Sequence, residues 1–300
     1  MQNKTLYPLF FLLQAVISTC NSQPMINLGE AVNSEYDEIN PIISADGKYL
    51  YFVRKNHPEN TYGTEDSEDI WYSIALSANK WSKAMRLPSL NAARYNSVIA
   101  ISKDDKRLLI NGVFSANGKE FLRRGLSVVN REGDGTAGRP KALAISGLAN
   151  MNRGMNTSGT WNNTESHIIL SFTNKYMGDK YDLYVTSKKA DGRWERPVKI
   201  EALCSHGSEE APCLSDDEKT IYFSSDREGK YEIYESTRLD NSWHNWSKPA
   251  RAKFAFNTAG YDTHLEFDEK HEYAYLTSTH ESIGGFDIFY LNLKAESGEK

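Results

Sequence analysis

A unit of four short strands repeated five times, with one strand displaced from the end of the chain to its beginning, predicts an all-β fold. That fold is a five-bladed propeller of four-stranded blades, closed by an N-terminal strand. A sandwich also alternates strands, but it needs neither a fixed four-strand period nor a displaced terminal strand. A six-bladed ring is the alternative if a divergent unit hides in the long loops at 53–68 or 111–124.

The repeat is clearest around one turn. Pro41-Ile42-Ile43-Ser44-Ala45-Asp46-Gly47-Lys48-Tyr49-Leu50-Tyr51-Phe52 is echoed by Pro212-Cys213-Leu214-Ser215-Asp216-Asp217-Glu218-Lys219-Thr220-Ile221-Tyr222-Phe223. Ile99 to Ile110, Leu265 to Leu276 and a degenerate copy at Gly159 to Leu170 keep the same register. The column defined by Ser44 then falls at 44, 102, 162, 215 and 268.

Each element of the unit has its own signal. The Asp-Gly or Asp-Asp step between the first two strands supplies residues that tolerate positive φ, and the runs on either side are β-branched or aromatic. The third strand opens on an acid in four units: Asp69-Ile70-Trp71-Tyr72, Asp182-Leu183-Tyr184, Glu232-Ile233-Tyr234 and Asp287-Ile288-Phe289. The second unit reads Leu126-Ser127-Val128-Val129 instead. These acids are expected to be structural, because they recur from blade to blade. The fourth strand follows Trp81, Trp194 and Trp246 in three units and Arg139-Pro140 in the second. Large indoles in that position are expected to pack in the core or between blades.

The fifth unit ends with its third strand, Asp287 to Leu293. The segment Val32 to Glu38 matches Leu90 to Asn96 and Phe256 to Asp262, both of which directly follow fourth strands. Residues 24 to 32 are therefore an orphan fourth strand, and its pairing with the last blade removes an open seam. The propeller is expected to occupy residues 24–300 as one domain.

Residues 1–20 read as an export signal: Lys4, an apolar stretch from Leu6 to Ile17, and small residues before Cys20. Ile17-Ser18-Thr19-Cys20 resembles a bacterial lipobox, in which the cysteine is lipidated, although Thr19 departs from the usual Gly or Ala. Ordinary cleavage near Asn21 to Gln23, releasing a soluble periplasmic or secreted protein, is the alternative. Export would place Cys204 and Cys213 in an oxidising compartment, where they either bridge or, in the case of Cys213, form a buried thiol. No cysteine spacing suggests zinc. With 40 acidic and 35 basic residues, a net charge of −5 and no basic block, the chain lacks the footprint of a nucleic-acid binder. Beyond residue 24 no run approaches the roughly 20 apolar residues of a membrane span.

The repeats at 44–52 and 215–227, with the later Asp-Ile-Tyr-like step, resemble the WD-like repeats of the TolB type. Ser242-Trp243-His244-Asn245-Trp246-Ser247-Lys248-Pro249, Asn257-Thr258-Ala259-Gly260-Tyr261-Asp262 and Ile283-Gly284-Gly285-Phe286-Asp287-Ile288-Phe289 resemble the propeller regions of Bacteroidetes cell-envelope proteins that carry an OmpA-like domain. The resemblance spans residues 24 to 293. It implies an envelope-associated binding or scaffolding module rather than a reaction, with a protein or glycan partner, on the outer membrane or in the periplasm. The OmpA-like peptidoglycan-binding domain of the longer members does not follow here. The resemblance therefore implies no direct cell-wall attachment, and a lipid on Cys20 would be the only membrane contact.

In a propeller the first strands line the axis, so residues entering them form a ring. The register puts Glu38, Asn96, Asn156, Glu209 and Asp262 in that column, each with a side-chain oxygen. Such a ring suits hydrogen bonds to a sugar or a chain end, and Ca²⁺ is conceivable, although no cofactor is called for. Tyr36, Arg94, Tyr95, Tyr261 and His264 lie near it in sequence and are expected to add stacking and charge, with Tyr95 and Tyr261 counted among the ligand-binding residues. The competing reading is that these acids and amides cap turns through backbone N–H groups. A glycan hydrolase using Glu38, Glu209 and Asp262 is the alternative function, since glycosidases set one protonated against one ionised carboxyl. No Asp-box, Gly-x-Ser-x-Gly elbow, phosphate loop or His-Glu-x-x-His motif accompanies them. The sequence thus reads as a non-enzymatic propeller that binds through its axial face.

Overall fold

A computed structural model of the protein describes residues 25–294 apart from 134, 177, 179 and 254. The export signal and Cys20 lie outside the described residues, as do residue 24 and residues 295–300 of the expected domain.

The chain forms five antiparallel sheets arranged as five blades, not six. Blade 1 holds Glu38–Ile43, Tyr49–Lys55, Glu68–Ser77 and Met85–Arg86, with Lys80–Trp81 folded back on the third strand. Blade 2 holds Val98–Ile101, Arg107–Phe114, Phe121–Asn130 and Lys141–Ala142. Blade 3 holds Ser158–Trp161, His167–Phe172, Asp182–Ser187 and Val198–Lys199. Blade 4 holds Glu209–Leu214, Thr220–Ser225, Glu232–Thr237 and Ala250–Arg251. Blade 5 holds Asp262–Phe267, Tyr273–Ser278 and Asp287–Asn292, and its outer strand is Ile26–Asn27 from the other end of the chain. The long segment at 111–124 belongs to a lengthened hairpin of blade 2.

One side chain fixes the turn that defines the repeat. The N–H of Tyr49 donates to Ser44 Oγ, Arg107 to Ser102 Oγ, His167 to Asn162 Oδ1, Thr220 to Ser215 Oγ and Tyr273 to Asp268 Oδ1, all at 2.8–2.9 Å. Three residues into each turn the backbone is left-handed, at Gly47, Asp105, Glu165, Glu218 and His271. Only Gly47 adopts this without a Cβ penalty, so in the other blades the clamp from the Ser44 column must hold a less willing residue.

Neighbouring blades are joined by a second repeated device. An asparagine brackets the third strand of the preceding blade: Asn33 donates to Ile288 O and accepts from Ile288 N–H, both at 2.9 Å. Asn91 does the same to Ile70 at 3.0 and 2.8 Å, and Asn257 to Ile233 at 3.0 and 2.7 Å. Between blades 3 and 4 the position is Cys204, whose sulfur accepts from Leu183 N–H at 3.3 Å and donates weakly to Leu183 O at 3.8 Å. Cys204 and Cys213 are free thiols, and Cys213 is buried.

Ring closure uses the same parts. Ile26 and Asn27 pair with Tyr290 and Phe289, Leu28 N–H donates to Ile288 O at 3.1 Å, and Asn27 Nδ2 donates to Asp287 Oδ2 at 2.7 Å. Regular pairing covers two residues of the expected 24–32 strand, and the Asn33 bracket extends the seam. The predicted tryptophans are buried in apolar clusters that span adjacent blades: Trp81 between blades 5 and 1, Trp194 between 2 and 3, Trp246 between 3 and 4. Among the described residues no helix is long and apolar enough to cross a membrane.

Candidate functional site

The predicted column is in register, but four of its five side chains turn back into their own loops. Glu38, Glu209 and Asp262 are fully buried. Glu38 accepts from Ser34 N at 2.8 Å, Ser34 Oγ at 2.5 Å and Arg54 Nε at 2.6 Å. Glu209 accepts from Ser205 N at 3.0 Å, Ser205 Oγ at 2.5 Å and Arg227 Nη2 at 3.1 Å. Asp262 accepts from Thr258 N at 2.6 Å, Thr258 Oγ1 at 2.9 Å and Ser278 Oγ at 2.7 Å. A hydroxyl four residues earlier clamps each carboxylate. Asn96 closes its loop on Ala93 N–H at 2.9 Å and donates to Asp69 Oδ1 at 3.0 Å. Their own backbone N–H groups stitch the blades: Glu38 donates to Phe286 O, Asn96 to Glu68 O, Glu209 to Tyr181 O and Asp262 to Tyr231 O, at 2.7–3.0 Å. Burial raises the carboxyl pKa of Glu38 and Asp262, opposed by the Ser34 and Arg54 contacts and the Thr258 and Ser278 contacts respectively. Two of the expected third-strand acids are held as well, Asp69 by Thr61 and Arg86 and Asp287, through its Oδ2, by Asn27 and Ile283 N–H.

Asn156 behaves differently because blade 3 is entered differently. Gly147 in the left-handed region starts a single helical turn, Leu148–Met151, in place of the asparagine bracket. Freed of a clamp, Asn156 donates its Nδ2 to Glu68 Oε1 at 3.1 Å. Glu68 belongs to blade 1 and Asn156 to the approach to blade 3, so this bond links two blades that are not neighbours in the ring. Lys55 Nζ stands 3.5 Å from the same carboxylate oxygen.

Glu210 and Tyr231 of blade 4 add a second pair at this mouth, with the phenol donating to Glu210 Oε1. Burial pushes the carboxyl pKa of Glu68 and of Glu210 up, and the Lys55 ammonium pulls both down. Tyr181 of blade 3 feels both carboxylates, and burial with their charge lifts its phenol to about 12. Predicted Tyr95 completes the rim and donates to Asp66. Predicted Tyr261 stands 49% exposed and has no side-chain bond to this group. Glu68, Tyr181, Tyr231 and Phe286 share one register position, immediately before the third-strand acid. That column was present in the sequence, but the more conspicuous acid beside it drew the reading.

Below the mouth the channel narrows to a cavity of about 60 Å³, lined among others by Asn40, Thr160, His264 and Glu266. Burial pushes His264 down to about 3 and Glu266 up to about 8, so both are neutral at pH 7, and the Glu266 carboxyl contacts Cys213. Among the described residues the metal-ligand donors within 4.8 Å of one another are Asp182, Cys204 and Glu209. Lys199 Nζ at 3.0 Å from Asp182 and Arg227 Nη2 at 3.1 Å from Glu209 already balance those acids, so the donor set does not suit a cation.

No family model and no curated protein matches the sequence. Solved structures do match in shape. A protein solved as an RGII complex aligns at a TM-score of 0.60 and 9% identity over 93% of this chain and 94% of that one. The endo-arabinase of Bacteroides thetaiotaomicron VPI-5482 aligns at 0.54 and 14% identity over 89% and 98%. A candidate TolB of Agrobacterium tumefaciens aligns at 0.50 and 16% identity over 92% and 85%. These likenesses establish the propeller fold. At such identities they carry no residue roles, and they include an endo-arabinase as well as a candidate TolB.

Proposed function

We propose that this chain is a cell-envelope binding propeller that recognises a protein or glycan partner at its axial mouth and performs no chemistry of its own. One observation carries the reading. The acids a hydrolase would need along the first strands, Glu38, Glu209 and Asp262, are each held by a loop hydroxyl and a loop N–H. What faces the axis instead is a mixed set of an ammonium, an amide, phenols and two paired carboxyls. This is the polar pattern of a recognition surface. Envelope residence rests on the export signal and on the TolB-type resemblance; lipidation at Cys20 is part of the same proposal, and wild type, unlike Cys20→Ser, should label with a fatty-acid probe.

Glycan hydrolysis is the second reading, favoured by the burial-raised carboxyls of Glu68 and Glu210 from different blades. One experiment separates the two. Wild type, Glu68→Gln and Glu210→Gln are incubated with a panel of plant and bacterial polysaccharides, and reducing ends are measured. The expected result is no turnover by any of the three. Turnover by wild type that disappears in either variant would replace binding with hydrolysis.

A further inference from the structure

Resting on the partner-binding reading, the cleft beside the mouth specifies the partner's chemistry. The second and third strands of blade 2 run for eight and ten residues, against six for their counterparts in blades 3 to 5. With the loop at 92–95 and Met155, the end of this hairpin encloses a cleft of about 750 Å³. Tyr95 belongs to both cleft and mouth.

Two properties of the cleft are unusual for this surface. It gathers apolar side chains that the fold leaves in water: Tyr62, Phe121, Leu122 and Met155 are all exposed, Leu122 to 58%. Grouped exposure of this kind marks an interaction surface, whereas single exposed residues do not. It also gathers cations. Arg94, Lys119, Arg123 and Arg124 line it, and Glu120 is the one acid in the lining. None of the four cations has a carboxylate within salt-bridge distance among the described residues. Arg54, Arg86, Arg107, Arg131, Arg227 and Arg251 are ion-paired; other arginines without a salt bridge among the described residues, such as Arg153 and Arg238, lie outside the cleft, which is where four such cations are gathered. Arg94 lies over the Tyr62 ring at 4.7 Å and donates to Glu65 O at 2.7 Å; Arg124 Nε donates to Gly154 O at 2.7 Å. Those neutral carbonyls orient the guanidinium groups without cancelling their charge.

We infer that the cleft binds an extended acidic peptide segment carrying apolar side chains, contributed by a partner protein. Charge complementarity selects the acid, in a chain whose overall net charge is −5. The apolar wall selects peptide over acidic glycan. Aromatic rings, methionine and arginine are the residues enriched where proteins meet, and the aliphatic Leu122 and Met155 offer a sugar neither a flat platform nor a hydrogen bond.

The test selects phage-displayed random dodecapeptides on the immobilised full chain, then measures a synthetic copy of the strongest binder by fluorescence anisotropy. Enrichment of Asp and Glu around Leu, Ile or Phe is expected. Affinity should fall at least about tenfold in Arg123→Glu and in Phe121→Ser/Leu122→Ser, with melting temperature little changed because these side chains are exposed. It should also weaken between about 50 and 300 mM salt. No acidic enrichment, or a peptide indifferent to both cleft variants, overturns the inference. A peptide lost in Glu68→Gln/Glu210→Gln but retained by the cleft variants overturns the cleft while sparing the axial reading. Cleft-dependent binding of an oligogalacturonate with no peptide selected overturns it in favour of an acidic glycan.

Discussion

Cys204 occupies a position that asparagine holds at three other blade junctions, and exchanging the two residue types measures what the bracket contributes. In Cys204→Asn, one N–H···S contact at 3.3 Å and one weak S–H···O contact at 3.8 Å give way to two amide bonds like those of 2.7–3.0 Å at Asn33, Asn91 and Asn257. Each neutral hydrogen bond contributes about 1 kcal/mol net, and ordering the longer side chain costs up to about 1 kcal/mol. The balance is a stabilisation of roughly 1 kcal/mol, or about 2 °C in melting temperature for a chain of this size. The reverse change, Asn91→Cys, weakens the pairing of the backbone N–H and C=O of Ile70, a residue only 1% exposed, and should cost about 1–3 kcal/mol. The two junctions lie in different parts of the ring, so the double exchange should give the sum of the single effects. Urea unfolding under reducing conditions, which keeps Cys213 from forming a bridge, provides the free energies. A destabilised Cys204→Asn, or an Asn91→Cys indistinguishable from wild type, would refute the view that the amide bracket joins the blades.

Glu266 has a folded pKa of about 8, above its ordinary value, so its contribution to stability is complete below the ordinary carboxyl range and is lost as pH rises through 8. Urea midpoints should therefore fall between pH 5 and pH 8 in wild type and fall much less in Glu266→Gln; equal slopes would contradict a carboxyl held neutral in the channel. Removing residues 24–33 uncovers the outer edge of Asp287–Asn292 and the Asn33 bracket. That truncation should aggregate in light scattering, and a soluble product with unchanged melting would refute closure by the N-terminal strand.

The fold was legible because its repeat is enforced by local chemistry. The Ser44 column and the Asn33 column each satisfy backbone groups at a fixed offset, so a blade that loses either residue needs a substitute, as Cys204 and the turn at Leu148–Met151 provide. The site was less legible for the same reason. Glu38, Glu209 and Asp262 recur because they clamp Ser34, Ser205 and Thr258, and a recurring acid looks the same in sequence whether it faces a ligand or a loop hydroxyl. Asn156 and Tyr95 were identifiable by position. Lys55 and Glu210 were not, since only the closed ring brings the end of one blade's second strand against the approach to another blade.

The departures from the repeat are therefore better guides to function than its agreements. Four blades could carry a clamp in the column, yet blade 3 substitutes a helical turn and releases Asn156. The position before the third-strand acid is aromatic in blades 3, 4 and 5 but is Glu68 in blade 1. The position after the column is Ile39, Ser97, Thr157 or Thr263 in four blades but Glu210 in blade 4. Blade 2 lengthens both strands of its central hairpin, to eight and ten residues against six and six in blades 3 to 5. Each change breaks a pattern that stabilises the ring, and burying Glu68 and Glu210 carries a desolvation cost that an aromatic or hydroxyl residue would avoid. Independent lapses would be scattered around the ring. Instead, those in blades 1, 3 and 4 meet at one mouth and that in blade 2 walls the adjoining cleft, as expected if one partner engages all four.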